Sequence, residues 1–292
     1  MKSRTTILFI LFTAAVAVLF AADIAVGSVS IPIRDVWAAL TGGECDPTTA
    51  RIIRDIRLMK AVVALVAGAA LAVSGLQMQT LFRNPLAGPY VLGVSSGASL
   101  GVALFILGAP MLGLTGHAWL SSLGVAGAAW IGAAATLALV AAISTRIKDI
   151  MVILILGIMI SSGVSAIVQI LQYLSAEEAL KSFVVWTMGS LGDVTATQLG
   201  AALGVAAIKS LNMLLLGENY ARSMGLDLRR SRSIILLSTT LLAGTVTAFC
   251  GPIGFIGLAM PHVARVIFRN ADHRTLMPTA ALTGAASLLL CD

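Results

Sequence analysis

Charged residues are scarce in this chain, and their scarcity excludes a soluble globular protein. Only 11% of the residues are charged, whereas soluble domains contain about 25%. Hydrophobic residues make up 58% of the sequence, and the mean hydropathy is +0.98. No polar stretch is long enough to form a separate soluble core. We therefore expect one membrane-embedded domain over residues 1–292.

The chain also lacks the sequence features of a nucleotide site and of a metal site. No G-x-x-x-x-G-K-[ST] phosphate loop occurs, and no glycine is followed by lysine. The three cysteines have neither disulfide nor metal-ligand spacing, and the three histidines are scattered over different predicted loops and helix ends. We expect no catalytic site, no metal site and no cofactor bound by this chain. Any ATP and Mg²⁺ would be used by a partner subunit.

Long uncharged runs predict an all-α, polytopic transmembrane helix bundle of about nine spans. Residues 84–145 contain no Asp, Glu, Lys or Arg. Because one span needs about 20 residues, this stretch has to cross twice, with a turn near 108–119. The other predicted spans are 5–22, 61–82, 150–173, 194–208, 233–250, 252–266 and 276–291. Gly251 and Pro252 predict the break between the seventh and eighth, since proline has no backbone N–H to donate.

The basic residues predict the orientation. With Lys2 and Arg4 in the cytoplasm, 13 of the 19 Lys and Arg residues fall on the cytoplasmic side of the predicted spans, as the positive-inside rule requires. The first segment also resembles a signal peptide. Its uncharged run, 5–22, is long for one, and no clear small-x-small site follows directly. We expect it to be retained as a span.

Residues 217–232, GENYARSMGLDLRRSR, form a charged island between two apolar runs. Four arginines at the bilayer centre would cost about 10 kcal/mol or more on an insertion scale, so the island is a water-facing loop. Small residues stand among its charges, including Ala221 and Gly225, as in a helix-turn element that another protein could hold. The alternative is a solvated loop that only obeys the positive-inside rule.

Small residues recur every four positions on two of the predicted spans. Gly93, Gly97 and Gly101 form one set, and Gly124, Ala128 and Gly132 form the other. Each set lines one helix face and permits close backbone approach. Serines at 95, 96 and 99, or at 161, 162 and 165, could instead face an aqueous path, although serine also hydrogen-bonds its own helix.

Basic residues also recur every three positions before the second span, at Arg51, Arg54, Arg57 and Lys60. On a helix they form a stripe that drifts about 60° per step. Exposed cations there could steer an acidic partner. Alternatively, they anchor the helix end by extending into the headgroups.

Three separated blocks of the sequence resemble a known family. They are RNPLAGPYVLGVSSGASLG at 83–101, LGENYARSMGL at 216–226, and GPIGFIGLAMPHVAR at 251–265 followed by DHR at 272–274. The blocks lie in the expected order, and the resemblance runs from about Ala50 to the last residue. The chain resembles the permease subunits of the FecCD-like class, the type II ABC importers for ferric siderophores, haem and cobalamin.

The resemblance implies a BtuC-like bundle of ten helices that pairs with a second permease copy around a central pathway. It also implies cytoplasmic ABC ATPase subunits, an extracytoplasmic substrate-binding protein and a bacterial inner membrane with the N-terminus in the cytoplasm. The matching positions are Glu218, Ala221, Arg222, Gly225, Leu226 and Arg229 for ATPase coupling, Asn84 and Leu86 for the cytoplasmic gate, and Arg57 and Lys60 for binding-protein docking.

The sequence departs from the family pattern at two places. Met59 stands where many relatives have proline. The chain also stops at Asp292 on an apolar run, without the tenth helix or the basic residue expected just after it. Either the ninth span ends at the outer surface or the chain is incomplete, and we expect an incomplete chain.

Two other function classes remain open. An ion-coupled secondary transporter is the main rival, but such carriers place an ionisable group inside the membrane, and none of the first five predicted spans carries Asp or Glu. A membrane scaffold or sensor without transport is the third class. The pattern favours a permease driven by an external motor. The chelate is not encoded in a readable way, because a path for a bulky cargo needs size and weak contacts more than ligands.

Overall fold

The computed structural model describes residues 2–27, 29–108, 122–144, 147, 150–191, 228–269 and 273–292. All regular secondary structure in these residues is helical, which confirms the predicted all-α class. The helices are α1 (Lys2–Ala25), α2 (Ile33–Thr41), α3 (Pro47–Arg51), α4 (Leu58–Leu81), α5 (Val94–Ile106), α6 (Ser122–Ser144), α7 (Ile150–Leu174), α8 (Glu177–Met188), α9 (Leu228–Cys250), α10 (Ile256–Phe268) and α11 (His273–Cys291).

Several of these helices are long and apolar enough to cross a membrane. In the described residues these are Thr5–Ala25, Pro47–Leu81, Gly124–Ile143 and Met151–Leu174. Shorter apolar helices occupy Val94–Ile106, Ile235–Cys250, Ile256–Phe268 and Thr275–Cys291. Each overlaps a predicted span, although the bounds differ, most of all for Pro47–Leu81 against the predicted 61–82. The sixth predicted span, 194–208, lies outside the described residues, so the total of nine stays a prediction.

Helix α4 is the central helix, and it packs against α9, α10 and α11. Its glycines set how closely the neighbours approach. A methyl group on Gly68 would overlap the carbonyl oxygen of Gly284 in α11, and one on Gly75 would overlap that of Gly257 in α10. The backbones therefore touch. Such contact is the main source of helix association in lipid, where burial of apolar side chains gives little advantage.

The predicted small-residue repeats lie at the contact between α5 and α6. A methyl group on Gly97 would overlap the hydroxyl oxygen of Thr136, and one on Gly101 would overlap the carbonyl oxygen of Ala128. From the other helix, a methyl group on Gly132 would overlap the carbonyl oxygen of Gly97. Thr136 belongs to the same face of α6, so the helices approach along at least two turns.

Gly93 has a different role from the other two glycines of its set. It is the residue before α5 and adopts a left-handed backbone with φ +81°. Its carbonyl accepts the first helical hydrogen bond from the Gly97 N–H at 2.8 Å. A side chain would be strained there and would also press on Thr136 and Ser161.

The predicted break at Gly251 and Pro252 separates α9 from α10. Helix α9 ends at Cys250, Gly251 turns with φ +75°, and α10 begins at Ile256. The end of α8 folds against this turn, where the Ser190 N–H donates to the Cys250 carbonyl at 2.8 Å. The break therefore also fixes the end of α8.

The first predicted loop contains helices that the sequence analysis did not anticipate. Helix α2 ends at Gly42, whose φ of +83° stops it. Helix α3 begins at Pro47 because the Asp46 carboxylate accepts the N–H groups of Thr48 and Thr49, both at 3.0 Å. A π-helical turn, Ile52–Arg57, then joins α3 to α4.

Hydrogen bonds from Arg57 join the π-helical turn to the end of α1. Its guanidinium donates to the carbonyl oxygens of Ile24 at 3.1 Å and Ala25 at 2.9 Å, and also to that of Val29. Gly27 lies directly against the guanidinium, which leaves no room for a side chain. We call this end of the bundle, with the start of α4, the Arg57 end. The opposite end, where α4 finishes, is the Asn84 end.

Replacing Gly101 tests the close contact between α5 and α6. We predict that Gly101→Ala lowers stability by about 1–3 kcal/mol, because the methyl group must displace the Ala128 carbonyl. Gly127→Ala is the matched control, since a methyl group at that position of α6 meets open space. Thermal unfolding of the detergent-purified protein measures both. Equal melting temperatures for G101A and G127A would contradict the contact.

Replacing Arg57 tests whether its hydrogen bonds hold the end of α1 in place. Arg57→Met should lower the melting temperature, because each carbonyl left buried without a donor costs about 1–3 kcal/mol. Arg51→Met removes an exposed arginine from the same segment and should change stability little. If both variants unfold at the wild-type temperature, the hydrogen bonds of Arg57 do not hold α1.

Candidate functional site

A polar cavity of about 500 Å³ lies between α7 and the segment that joins α4 to α5. Helix α7 contributes Ser161, Ser162, Ser165 and Gln169, while the joining segment contributes Tyr90. Ser161, Ser165 and Gln169 recur every four positions along one helix face, and Ser162 lies beside them. The predicted serine face of α7 therefore borders a cavity, and the cavity lining carries no charged side chain among the described residues.

Hydrogen bonds within α7 leave acceptor capacity toward the cavity. The Ser161 hydroxyl donates to the Gly157 carbonyl at 2.8 Å, and the Ser162 hydroxyl donates to the Ile158 carbonyl at 3.0 Å. Each hydroxyl oxygen retains lone pairs for another donor. The serines therefore offer weak, neutral contacts rather than a tight binding constellation. The other serine set is not on this cavity, and its Ser96 hydroxyl donates to the Gly93 carbonyl at 3.1 Å.

The proposed gate residues lie at the start of the same joining segment. The Asn84 side-chain oxygen accepts the Leu86 N–H at 2.9 Å, and the Asn84 carbonyl accepts the Ala87 N–H at 3.1 Å. These bonds fold the chain into a compact turn directly after α4. Leu86 projects from that turn and is 73% exposed. An ordered turn thus presents one apolar side chain, and the segment continues from it to Tyr90.

Tyr90 connects the segment to α9. Its hydroxyl lies 3.3 Å from the hydroxyl oxygen of Thr247. The sequence analysis missed Tyr90 and Gln169 as cavity residues. Serine spacing identified the α7 face, but nothing in the sequence pairs residue 90 with a helix that lies some seventy positions away.

Most of the predicted ATPase-coupling residues lie outside the described residues: Glu218, Ala221, Arg222, Gly225 and Leu226. Arg229 belongs to the first turn of α9. Since α9 ends at Cys250 on the Arg57 end, it begins at the Asn84 end. Arg229, at the start of α9, therefore lies on the same end of the bundle as Asn84 and Leu86.

The two predicted docking residues differ in their surroundings. Arg57 is only 8% exposed and bonded to carbonyls, so the expectation of an exposed stripe does not hold for it. Lys60 is partly exposed and pairs with Asp292 at 2.5 Å. Arg51 and Arg54 are exposed, and the Arg54 Nε–H donates to the Ala39 carbonyl at 2.5 Å.

The candidate span Thr5–Ala25 contains a carboxylate that the predicted first span excluded. Helix α1 continues to Ala25, beyond the predicted end at residue 22, and so includes Asp23. Asp23 lies beside Lys60 and Asp292 at the Arg57 end. The charge is therefore at a helix end, away from the α7 cavity. Among the described residues no group of three or more His, Cys, Asp or Glu side chains gathers to hold a metal.

Comparison with known proteins identifies relatives over most of the chain. The hemin transport system permease protein HmuU of Yersinia pestis is 38% identical over 91% of this chain and 80% of its own length. The vitamin B12 import system permease protein BtuC of Escherichia coli O6:K15:H31 is 34% identical over 90% and 80%. The molybdate import system permease protein MolB of Haemophilus influenzae is 33% identical over 91% and 80%.

A solved structure has the same fold. It is described as "An inward-facing conformation of a putative metal-chelate type ABC transporter" and superposes with a TM-score of 0.81 at 31% identity, over 98% of this chain and 89% of the other. The FecCD transport family matches residues 14–292. With the all-helical bundle, the cavity beside α7 and the ordered turn at Asn84, these similarities lead to one conclusion: the chain belongs to the FecCD transport family of ABC transporter permeases.

Proposed function

We propose that this chain is the transmembrane permease subunit of an ATP-driven importer that moves an iron chelate or cobalamin from a binding protein into the cytoplasm. The observation that carries the proposal is the neutral, polar cavity between α7 and Tyr90. Ser162 and Ser165 are exposed on α7, a helix that otherwise exposes large apolar side chains such as Met159 and Ile170. Lipid is a poor solvent for that polar face, and a second permease copy with a water-filled path between the two would suit it.

The lining of the cavity favours a bulky chelate over a small naked ion. Relatives carry names that refer to hemin, vitamin B12 and molybdate. A free oxyanion is usually held by cations or backbone N–H groups, and no described residue of this lining is cationic. Serine hydroxyls and the Gln169 amide give weak contacts to a large cargo, which can pass without being trapped. Haem, siderophore and cobalamin complexes all meet this description.

We further propose that the driving force comes from separate ATPase subunits that hold the segment with Glu218, Ala221, Arg222, Gly225, Leu226 and Arg229. Helix α9 links this segment to the cavity through Thr247 and Tyr90. A displacement of α9 by the ATPase would reach the joining segment through this contact between Thr247 and Tyr90. This supports a motor-driven permease over an ion-coupled carrier, because no described carboxylate lines the cavity and Asp23 lies at the Arg57 end.

The Arg57 end would face the periplasm and receive the binding protein, with the N-terminus in the cytoplasm of a bacterial cell. Lys60, Arg51 and Arg54 are among the cations that are accessible to acidic residues of such a partner. Arg57 would act indirectly, by holding the end of α1 in place beneath them. Asn84 and Leu86 would then close the cytoplasmic end of the path.

A bulky residue in the coupling segment should separate ATP hydrolysis from transport. In proteoliposomes with the ATPase and the binding protein, Gly225→Trp should reduce substrate-stimulated hydrolysis and uptake about tenfold, the effect of losing about 1.4 kcal/mol of docking energy. Gly127→Trp, at an open position on α6, should retain both. Substrate stimulation that persists in G225W would contradict docking at this segment, and uptake driven by a proton gradient without ATP would contradict the importer.

Narrowing the cavity should block uptake without disturbing the motor. Ser165→Trp places a large ring on the cavity face of α7, so we expect most uptake to be lost while basal ATP hydrolysis continues. Ile167→Trp is the matched control, because Ile167 is exposed on a different face of the same helix. Normal uptake by S165W would show that the cargo does not pass this face.

A further inference from the structure

A second cavity, of about 510 Å³, lies at the Asn84 end between α4, α10 and α11. Arg83, Arg265 and Arg269 line it, and the described lining contains no aspartate or glutamate. Arg265 and Arg269 belong to the last turn and cap of α10, while Arg83 follows the end of α4. The cavity therefore concentrates positive charge at one level of the bundle.

Arginines at this position do not by themselves identify a ligand. Basic residues at helix C-termini are expected from the helix dipole, and basic residues on the cytoplasmic side are expected from the positive-inside rule. A further observation is needed to distinguish a binding site from a charged helix end.

Gln79 distinguishes this cavity from an ordinary charged helix end. It lines the same cavity and is only 3% exposed. Its Nε2–H group donates to the Leu258 carbonyl at 2.9 Å, which fixes which side of the amide faces α10. Its Oε1 atom is buried and has no hydrogen-bond partner. Buried acceptors are nearly always paired. This oxygen lacks a donor within the described residues, and the cavity that Gln79 lines is the adjoining space from which a donor could come.

We propose that the cavity binds the headgroup of an anionic phospholipid that carries both a phosphodiester and a hydroxyl, as phosphatidylglycerol does. Guanidinium groups pair with phosphate oxygens through charged, directional hydrogen bonds. The headgroup hydroxyl supplies the donor for Gln79. A carboxylate from an acidic protein partner would satisfy the arginines but has no hydrogen to give Gln79.

The position of the cavity suits a lipid. It lies at the ends of membrane-embedded helices, where basic pockets between helices bind anionic headgroups. Leu276 forms an apolar part of its wall, and Val266 is 60% exposed on the neighbouring face of α10, which offers a surface for an acyl chain. The Thr80 hydroxyl lies 2.9 Å from His273 Nε2, so α4 and α11 are already joined at the site. A bound headgroup would add α10 to that junction.

The site goes beyond the transport function, because its occupant is not the cargo. It would hold three helix ends together next to the Asn84 turn. The proposal can fail while the transport proposal stands, since lipid binding is measured without ATPase, binding protein or chelate.

Lipid binding to the purified, delipidated protein tests the proposal. Native mass spectrometry and the rise in melting temperature should both detect phosphatidylglycerol. The double variant Arg83→Gln/Arg269→Gln should weaken its apparent affinity about tenfold or more, as expected for the loss of charge-assisted contacts. Arg34→Gln is the matched control, because Arg34 is exposed on α2, away from the cavity, and should bind as the wild type does. Gel filtration and the melting temperature without lipid confirm that each variant is folded.

A second lipid separates the contribution of the phosphodiester charge to binding from that of the headgroup hydroxyl. Phosphatidylmethanol has the same phosphodiester charge but no hydroxyl, so it should bind the wild type more weakly than phosphatidylglycerol does. Equal binding of the two lipids would overturn the assignment of Gln79. Equal phosphatidylglycerol binding by the double variant and the wild type would overturn the site itself.

Two further measurements would identify other occupants of the cavity. Glycerol 1-phosphate carries the headgroup chemistry without acyl chains, and stabilisation by it at the same concentration as by the lipid would overturn a lipid site in favour of a soluble phosphate site. Loss of ATPase association by the double variant, with phosphatidylglycerol binding unchanged, would overturn the proposal in favour of a protein contact.

Discussion

Backbone contact around α4 is the constraint on which the bundle depends. Helices in lipid gain little from burying apolar side chains, because the acyl chains are equally apolar, so they associate through close packing. Gly68 against Gly284 and Gly75 against Gly257 bring α11 and α10 to touching distance of α4. The Gln79 amide then bonds to Leu258, next to Gly257. Once α10 is held there, both the arginine-lined cavity at one end and the turn after α9 at the other follow from its position.

Much of the fold could be predicted from the sequence, because long apolar runs and the small-residue repeats are local signals. The missed helices were α2, α3 and α8, which lie in stretches with too little apolar length for a span. Asp46 followed by Pro47 is a helix-start signal, but the helix that it starts is too polar to be recognised as a span. Arg57 was misjudged for another reason. Its spacing matched Arg51 and Arg54, but its burial is decided by carbonyls of α1 that lie about thirty residues earlier, and sequence spacing contains no information about them.

In the candidate site, too, local sequence signals were readable and long-range contacts were not. Serines at helical spacing indicated one wall of the α7 cavity, and the family resemblance indicated Asn84 and Leu86. Tyr90 could not be found this way, since its place depends on how the segment after α4 folds back against α7 and α9. The role of Asn84 in ordering that segment is a short-range effect, because its side chain bonds within two residues of itself. Its place at a cytoplasmic gate stays a prediction.

Helix α10 is short for a membrane span, and its length shapes the Arg57 end. Its 13 residues rise about 20 Å, whereas the hydrocarbon layer is about 30 Å thick. Arg265 and Arg269 keep its other end near the headgroups, so the shortfall lies at the end marked by Gly251 and Pro252. At that end the described residues leave a cavity of about 470 Å³, lined by the turn after α9, Lys60 and the end of α11. In the proposed importer, a cargo delivered to the Arg57 end would begin its passage in this cavity and would have less of the hydrocarbon layer left to cross.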